Sequence, residues 1–317
     1  MTDIFQLTAR PAEDLFFRKS DSNDVRLGEI VSAHPNDYEQ AEIVILGCPQ
    51  DEGVNRNKGR IGAAKAPDAI RRQFYKLSNF GIKTKIFDLG NTIIRETLEA
   101  THDAQSLIVR QIIRDGKKII SLGGGNDISY PDCCALSKET GAENVVAFNI
   151  DAHFDVRIAE IRNSGTPYRQ LLDEKWILPQ NFYEIGWQQH ANSPVYFDYL
   201  REMKVNLINL DEFRAANFHA EIERILQSNF ETNKYRLFFG FDVDSVRASN
   251  APGVSAPNPI GLTAEEFVNL AALAGNQPNA RIVEFTEVNP NFDIDDRTAR
   301  LVAIAMHRFC SASRVNE

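Results

Sequence analysis

Asp151, His153 and Asp155 stand at alternate positions in Asn149-Ile150-Asp151-Ala152-His153-Phe154-Asp155-Val156-Arg157, directly after the apolar run Val145-Val146-Ala147-Phe148. Side chains alternate faces along an extended chain, so a period of two lets all three converge at the tip of one strand. A second pair at the same spacing, Asp242 and Asp244, follows Leu237-Phe238-Phe239-Gly240-Phe241. Two such carboxylates side by side repel each other unless a cation or water screens them. Glu287 closes a third apolar run, and Asn126 follows Gly123-Gly124-Gly125 behind a fourth that ends at Leu122. Mostly oxygen donors with one imidazole suit a hard or borderline cation such as manganese. With one carboxylate as a bridge, such a set suffices for two ions about 3.5–4 Å apart, the arrangement that activates one water for hydrolysis. Glu287 would then be free to hold a cationic group of a substrate.

The elements that must position these residues can be read from the apolar runs. Strand-like segments fall at 41–47, 84–89, 117–122, 144–150, 181–186, 205–209, 235–241 and 281–285. Helix-like segments lie between them. One spans 67–79 with Pro67 in the first turn, one spans 101–115 with Thr101 as N-cap, and one spans 263–274, opened by the capping box Thr263-Ala264-Glu265-Glu266. Strands alternating with helices predict a mostly parallel sheet of about eight strands, covered on both faces, in which ligands bind beyond the carboxyl ends of the strands. Residues 1–40 are polar and turn-rich and read as an N-terminal arm. From 41 to 317 no repeat or linker divides the chain, so it reads as a single domain.

Bulk composition removes several classes of function. The chain has 317 residues, 43% hydrophobic and 25% charged, with a net charge of -9. That balance argues against nucleic acid, which requires a basic face. No stretch is long and apolar enough to span a membrane and the first ten residues lack a secretory pattern, so a cytoplasmic protein is expected. Cys48, Cys133, Cys134 and Cys310 have neither disulfide-scaffold nor zinc-ribbon spacing and read as buried thiols. The loop Cys48 to Gly62 carries Arg56, Lys58 and Arg60. It is either a solvated excursion or a binding loop for an anionic group.

Together these residues resemble the ureohydrolase superfamily of arginase, agmatinase and formimidoylglutamase. The carriers are Asp151-Ala152-His153-Phe154-Asp155, Phe241-Asp242-Val243-Asp244 and Glu287-Val288-Asn289-Pro290, with Gly123 to Asp127 in the place of the first family signature. Asp51-Glu52-Gly53-Val54, Asn57-Lys58-Gly59-Arg60, Asn163-Ser164-Gly165-Thr166-Pro167 and Ala251 to Pro257 make the chain most similar to formimidoylglutamase. The resemblance implies a three-layer α/β/α sandwich and assembly as trimers or hexamers. It also implies two manganese ions, one held by Asn126, Asp151, Asp155 and Asp242 and the other by Asp151, His153, Asp242 and Asp244. The family places a histidine where this chain has Asn126, so weaker occupancy of that position is expected. Thr166-Pro167-Tyr168-Arg169 lacks the histidine of arginase.

What the resemblance implies for chemistry is hydrolysis of N-formimino-L-glutamate to L-glutamate and formamide, with Asp155 orienting and deprotonating the water and Glu287 pairing with the cationic nitrogens. Arg60, Arg157, Arg162 and Arg169 are expected near the cleft, where guanidinium groups would suit the substrate's two carboxylates. His190 is a further candidate for substrate contact or proton relay. Two alternatives stand beside this reading. One is another amidino or guanidino hydrolase of the agmatinase or guanidinobutyrase type, and the other is a metal-depleted, non-catalytic family member.

Overall fold

The computed structural model describes residues 3–215, 220, 222–224, 226 and 234–313. Its strands are β1 (Thr8–Ala9), β2 (Ile43–Gly47), β3 (Ile86–Thr92), β4 (Lys118–Leu122), β5 (Val145–Ile150), β6 (Phe182–Trp187), β7 (Asn206–Asn209), β8 (Arg236–Asp242) and β9 (Ala280–Thr286). They form one sheet in the order β1-β3-β2-β4-β9-β8-β5-β6-β7. All eight predicted runs are strands, and they pair in parallel. The ninth, β1, was not expected: it lies within the segment 1–40 and pairs antiparallel with β3, Thr8 opposite Thr92 and Ala9 opposite Asn91.

Strands β2 and β5 are buried along their whole length, which is why they read as continuous apolar runs and not as alternating ones. Their side chains divide between two cores. Ile43 and Ile45 pack with Ile70, Phe74, Leu270 and Val302, whereas Val44 and Leu46 pack with Ile108, Val109, Leu136 and Leu171. The helices Ala66–Phe74, Ala264–Gly275 and Arg297–Ala312 therefore cover one face, and Leu98–Arg114, Ser129–Thr140 and Pro167–Asp173 cover the other. The result is the expected α/β/α sandwich. Cys48, Cys133, Cys134 and Cys310 are free and buried, and no helix among the described residues is long and apolar enough to cross a membrane.

Capping chemistry explains where two helix boundaries fall. Thr263 accepts from the Glu266 N–H at 3.0 Å while the Glu266 carboxylate accepts from the Thr263 N–H at 2.6 Å, a reciprocal box that fixes the start of Ala264–Gly275. The helix expected from Thr101 starts a turn earlier, because Thr97 is the cap and accepts from the Ala100 N–H at 3.1 Å. The helix expected to run to Asn79 stops at Phe74. Beyond it the carbonyls of Tyr75 and Leu77 are taken by the Gly28 and Leu27 N–H groups.

Sheet order, and not sequence order, assembles the site. Strands β4, β9, β8 and β5 are consecutive neighbours, and they are the four that end in Asn126, Glu287, Asp242 with Asp244, and Asp151 to Asp155. Gly124 lets the tip of β4 pack against those of β2 and β9: a Cβ there would fall 1.5 Å from the Gln50 carbonyl oxygen, and the Gly124 carbonyl accepts from the Glu287 N–H at 2.9 Å. Only glycine admits so close an approach.

Candidate metal centre

Asp151 is fully buried, one residue past the end of β5. Its Oδ1 accepts from the His153 N–H at 2.8 Å, which turns the chain back on itself and brings His153 Nδ1 to 3.4 Å from Asp151 and 3.3 Å from Asp244. At the end of β8, Asp242 in the same way accepts from the Asp244 N–H at 2.9 Å. Two sets of ligand atoms result, Asp151 with His153 and Asp244, and Asp151 with Asp155 and Asp242. Within each set all atoms lie within 4.8 Å of one another. Asp151 belongs to both.

The backbone is strained at two places that matter for chemistry. Asp155 has φ 45° and Glu287 has φ 64°, a left-handed conformation that non-glycine residues adopt at a cost, often where function requires it. The Gly124 carbonyl holds Glu287, as above, and the Asp155 carbonyl accepts from the Tyr168 N–H at 3.3 Å.

Burial raises four of the acids here. It pushes Asp151 up to about 6 and Glu287 up to about 8. Asp155 and Asp242 are driven well above the carboxylate range, by burial first and then by the neighbouring charge of Asp151 and Asp244 respectively. The Asp244 carboxylate raises the His153 imidazole as well, up to about 12 and against its burial, which keeps the ring charged. Glu287 Oε2 is buried with no hydrogen-bond partner among the described residues. A cluster that so strongly favours its protonated acids has the electrostatics of a cation site.

Asn126 sits behind this cluster. Its backbone N–H donates to Glu287 Oε1 at 2.8 Å, and its side-chain nitrogen donates to Asp155 Oδ2 at 2.7 Å and faces Asp151 Oδ2 at 3.4 Å. The amide oxygen points away, accepting from Ser129 at 2.8 Å and Thr286 at 3.1 Å.

A cleft of about 360 Å³ opens onto the centre, with His153, Asp155, Asp242, Asp244 and Glu287 in its wall. Lys58, Arg60 and Arg157 line it as well. Arg60 is braced by the Val254 and Ser255 carbonyls and by the Phe292 ring 4.2 Å away. Two of the expected arginines go elsewhere. Arg169 pairs with Asp173 at 2.7 Å and stacks on Tyr199, and Arg162 stacks on Tyr130. His190 lines adjoining hollows with Trp187 and Ile260 and is 3.1 Å from Asn258. Lys58 was not singled out as a site residue, although its loop was noted for its basic residues. Asn57, Ser164 and Asn192 also line the cleft.

A parallel sheet whose adjacent tips gather carboxylates and one imidazole into a buried cluster defines an α/β protein built around a divalent-cation site. The chain belongs to the arginase family, whose pattern it matches over residues 41–311. It is 34% identical to the formimidoylglutamase of Staphylococcus aureus (strain bovine RF122 / ET3-1) over 266 residues, 84% of each chain. Its structure is similar to that of Trypanosoma cruzi formiminoglutamase with Mn2+, with a TM-score of 0.84 and 32% identity over 91% of this chain and 98% of that one. It is also similar to the formimidoylglutamase of Bacillus subtilis, with a TM-score of 0.83 and 26% identity over 94% and 96% of the two chains.

Proposed function

We propose that this protein hydrolyses N-formimino-L-glutamate to L-glutamate and formamide at a two-manganese centre, in the cytoplasm. The observation that carries the reading is the make-up of the cleft wall, in which five acidic or imidazole side chains of the cluster and the three basic side chains Lys58, Arg60 and Arg157 line one cavity. The substrate carries the matching charges, a cationic formimino group at one end and two carboxylates at the other. Agmatine, cationic at both ends, would bring its second charge against the bases. The names of the similar proteins support the same choice.

The donor set fits the metal. One ion would be held by Asp151, Asp155 and Asp242 with Asn126 beside it, the other by Asp151, His153, Asp242 and Asp244. When bound, the ions supply positive charge that offsets the buried carboxylates and makes water more acidic. Asp155 orients that water and accepts its proton. Glu287 is aimed by the hydrogen bond from Asn126 N–H to its Oε1, which leaves the unpaired Oε2 for the formimino nitrogens. Arg157 and Lys58, both exposed, bind the carboxylates of the glutamate portion. The water oxygen adds to the formimino carbon, the bond from that carbon to the glutamate nitrogen breaks, and that nitrogen takes up a proton.

The test is hydrolysis by manganese-loaded protein, read as formamide from N-formimino-L-glutamate and as urea from agmatine and 4-guanidinobutyrate. Turnover of the first alone is expected. Turnover of either of the others without it would overturn the substrate. No metal by elemental analysis together with no turnover would favour the non-catalytic alternative.

A further inference from the structure

Of the three basic residues between Cys48 and Gly62, Lys58 and Arg60 line the cleft, whereas Arg56 is engaged within the protein. It closes the short helix Glu52–Arg56. Its guanidinium forks onto Glu99, donating to Oε1 at 2.6 Å and Oε2 at 3.4 Å, and donates as well to Glu52 Oε1 at 3.0 Å and to the Arg162 carbonyl at 3.1 Å. Glu99 lies in the first turn of Leu98–Arg114, and the hydrogen bond from Arg56 holds its carboxyl below the usual range. One side chain thus joins three segments of the chain.

The Arg162 carbonyl belongs to a loop that ends at the cleft. The Arg157 N–H donates to the Gly165 carbonyl at 2.8 Å, so residues 157–165 form a closed loop with Arg157 at its base. The returning half of that loop is gripped at three points by residues 53–57. Arg56 takes the Arg162 carbonyl, the Gly53 carbonyl accepts from the Ser164 N–H at 3.0 Å, and the Asn57 side-chain amide donates to Ser164 Oγ at 3.0 Å. Gly165 then lies against Arg157, since a Cβ there would fall 2.7 Å from Arg157 Cδ. Where residues 162–165 are held therefore decides where the Arg157 side chain can lie. Ile158 and Ile161 of the same loop are exposed, so burial does little to hold it.

The grip has a firm base. A Cβ at Gly53 would fall 1.9 Å from Asp127 Oδ1, which seats the short helix directly on the tip of β4. Asp127 is itself fixed, accepting from Gln50 Nε2 at 2.6 Å with His102 Nε2 2.7 Å away, and all three residues are buried.

We propose that Arg56 is a positioning residue that acts through Arg157: it pins the loop 157–165 to the arm that carries Lys58 and Arg60. A lysine would not serve, because a single ammonium lacks the planar fork that spans a carboxylate and a carbonyl together. The inference rests on the assignment of Arg157 to the substrate's carboxylates.

The experiment uses the full-length, manganese-loaded protein with Arg56→Gln, Arg157→Gln and the two combined. Amide hydrogen exchange read by mass spectrometry follows residues 157–165, and steady-state kinetics follows N-formimino-L-glutamate. Arg56→Gln is expected to speed exchange in residues 157–165 and to leave β5 and β8 as in the native protein. It should raise KM by about tenfold or more with kcat within about twofold, because a misplacement of ~1 Å at a binding group can cost as much as ~10²-fold. With Arg157→Gln already present, Arg56→Gln should raise KM by no more than about twofold further, the non-additivity of groups that act through one another. Glu99→Gln, which weakens the brace from its other end, should show the same pattern to a lesser degree and serves if Arg56→Gln does not fold. Unchanged exchange in residues 157–165, or the same rise in KM with and without Arg157, would overturn the proposal. A native protein that does not turn over N-formimino-L-glutamate would instead sink the substrate reading, while exchange in residues 157–165 still decides whether Arg56 holds the loop.

Discussion

The side-chain nitrogen of Asn126 donates to Asp155 Oδ2 at 2.7 Å, so this side chain offers a hydrogen to a carboxylate of the candidate metal centre. An imidazole nitrogen at this position would bring a lone pair in place of that hydrogen. Asn126→His is therefore expected to tighten the weaker Mn2+ binding event by at least about tenfold, since a first-layer donor should matter no less than the outer partners whose loss typically costs 10–100-fold. Calorimetry measures it directly. An unchanged weak event would mean that Asn126 does not limit the site.

The arginines divide into those free for a substrate and those already satisfied. Arg157 lines the cleft and is exposed, whereas Arg169 is engaged by Asp173 and Tyr199. Hydrogen bonds to charged groups are worth about 1.5–3 kcal/mol, so Arg157→Gln should raise KM for N-formimino-L-glutamate by about 10–100-fold with a smaller change in kcat. Arg169→Gln should leave both within about twofold, as expected for a surface pair. Steady-state kinetics on the two variants checks this, and the reverse ranking would refute the assignment of Arg157 to the substrate.

Gly124 is where three strand tips interlock. Its missing side chain makes room for the Gln50 carbonyl, and its own carbonyl holds the strained Glu287. Gly124→Ala should destabilise the fold by about 1–3 kcal/mol, the usual cost of forcing atoms into a packed interior, and should weaken metal binding as well because Glu287 and Asn126 would be displaced. Chemical denaturation with and without Mn2+ measures both effects. A variant of native stability and native affinity would show that the tips tolerate separation.

Much of this site was legible because the sheet writes its pattern into the chain. Period-two acids at 151–155 and 242–244, each behind an apolar run, mark strand tips whatever the topology, and the alternation with helices makes those tips point one way. Sequence spacing does not say that β4, β9, β8 and β5 are neighbours; that follows from sheet order. Nor does it reveal partners brought together through space. Ser129 and Thr286 meet at Asn126 although they are far apart in the chain, and Arg169 is drawn off by Asp173 one helical turn away. The left-handed backbone of Asp155 and Glu287 is likewise invisible in residue type, since both are ordinary acids. Thr101 misled as a cap because Thr97, one turn earlier, offers the same chemistry with a free approach to Ala100.

Removing the metal should make stability depend on pH in a direction opposite to that of a protein whose acids are ion-paired. Burial raises Glu287 to about 8 and Asp151 to about 6, while in the unfolded chain such groups titrate near ~4. The folded, metal-free protein therefore binds these protons more tightly than the unfolded chain does. The stability they contribute is whole below the unfolded value and is lost as pH rises first through 6 and then through 8. His153, raised to about 12, stays charged in the folded protein while the unfolded imidazole loses its proton near ~6.5, so it adds to the same loss of stability in the upper part of that window. Bound Mn2+ takes over the role of the protons, so the loaded protein should not show the loss. In chelator, the melting temperature should fall between pH 5 and pH 8.5, roughly the span bounded by these titrations, and the increment on adding Mn2+ should grow with pH. Glu287→Gln, which cannot ionise, should flatten the upper part of the metal-free profile. A metal-free protein whose melting temperature rises across the same range would mean that the buried acids are neutralised by something other than protons or a cation.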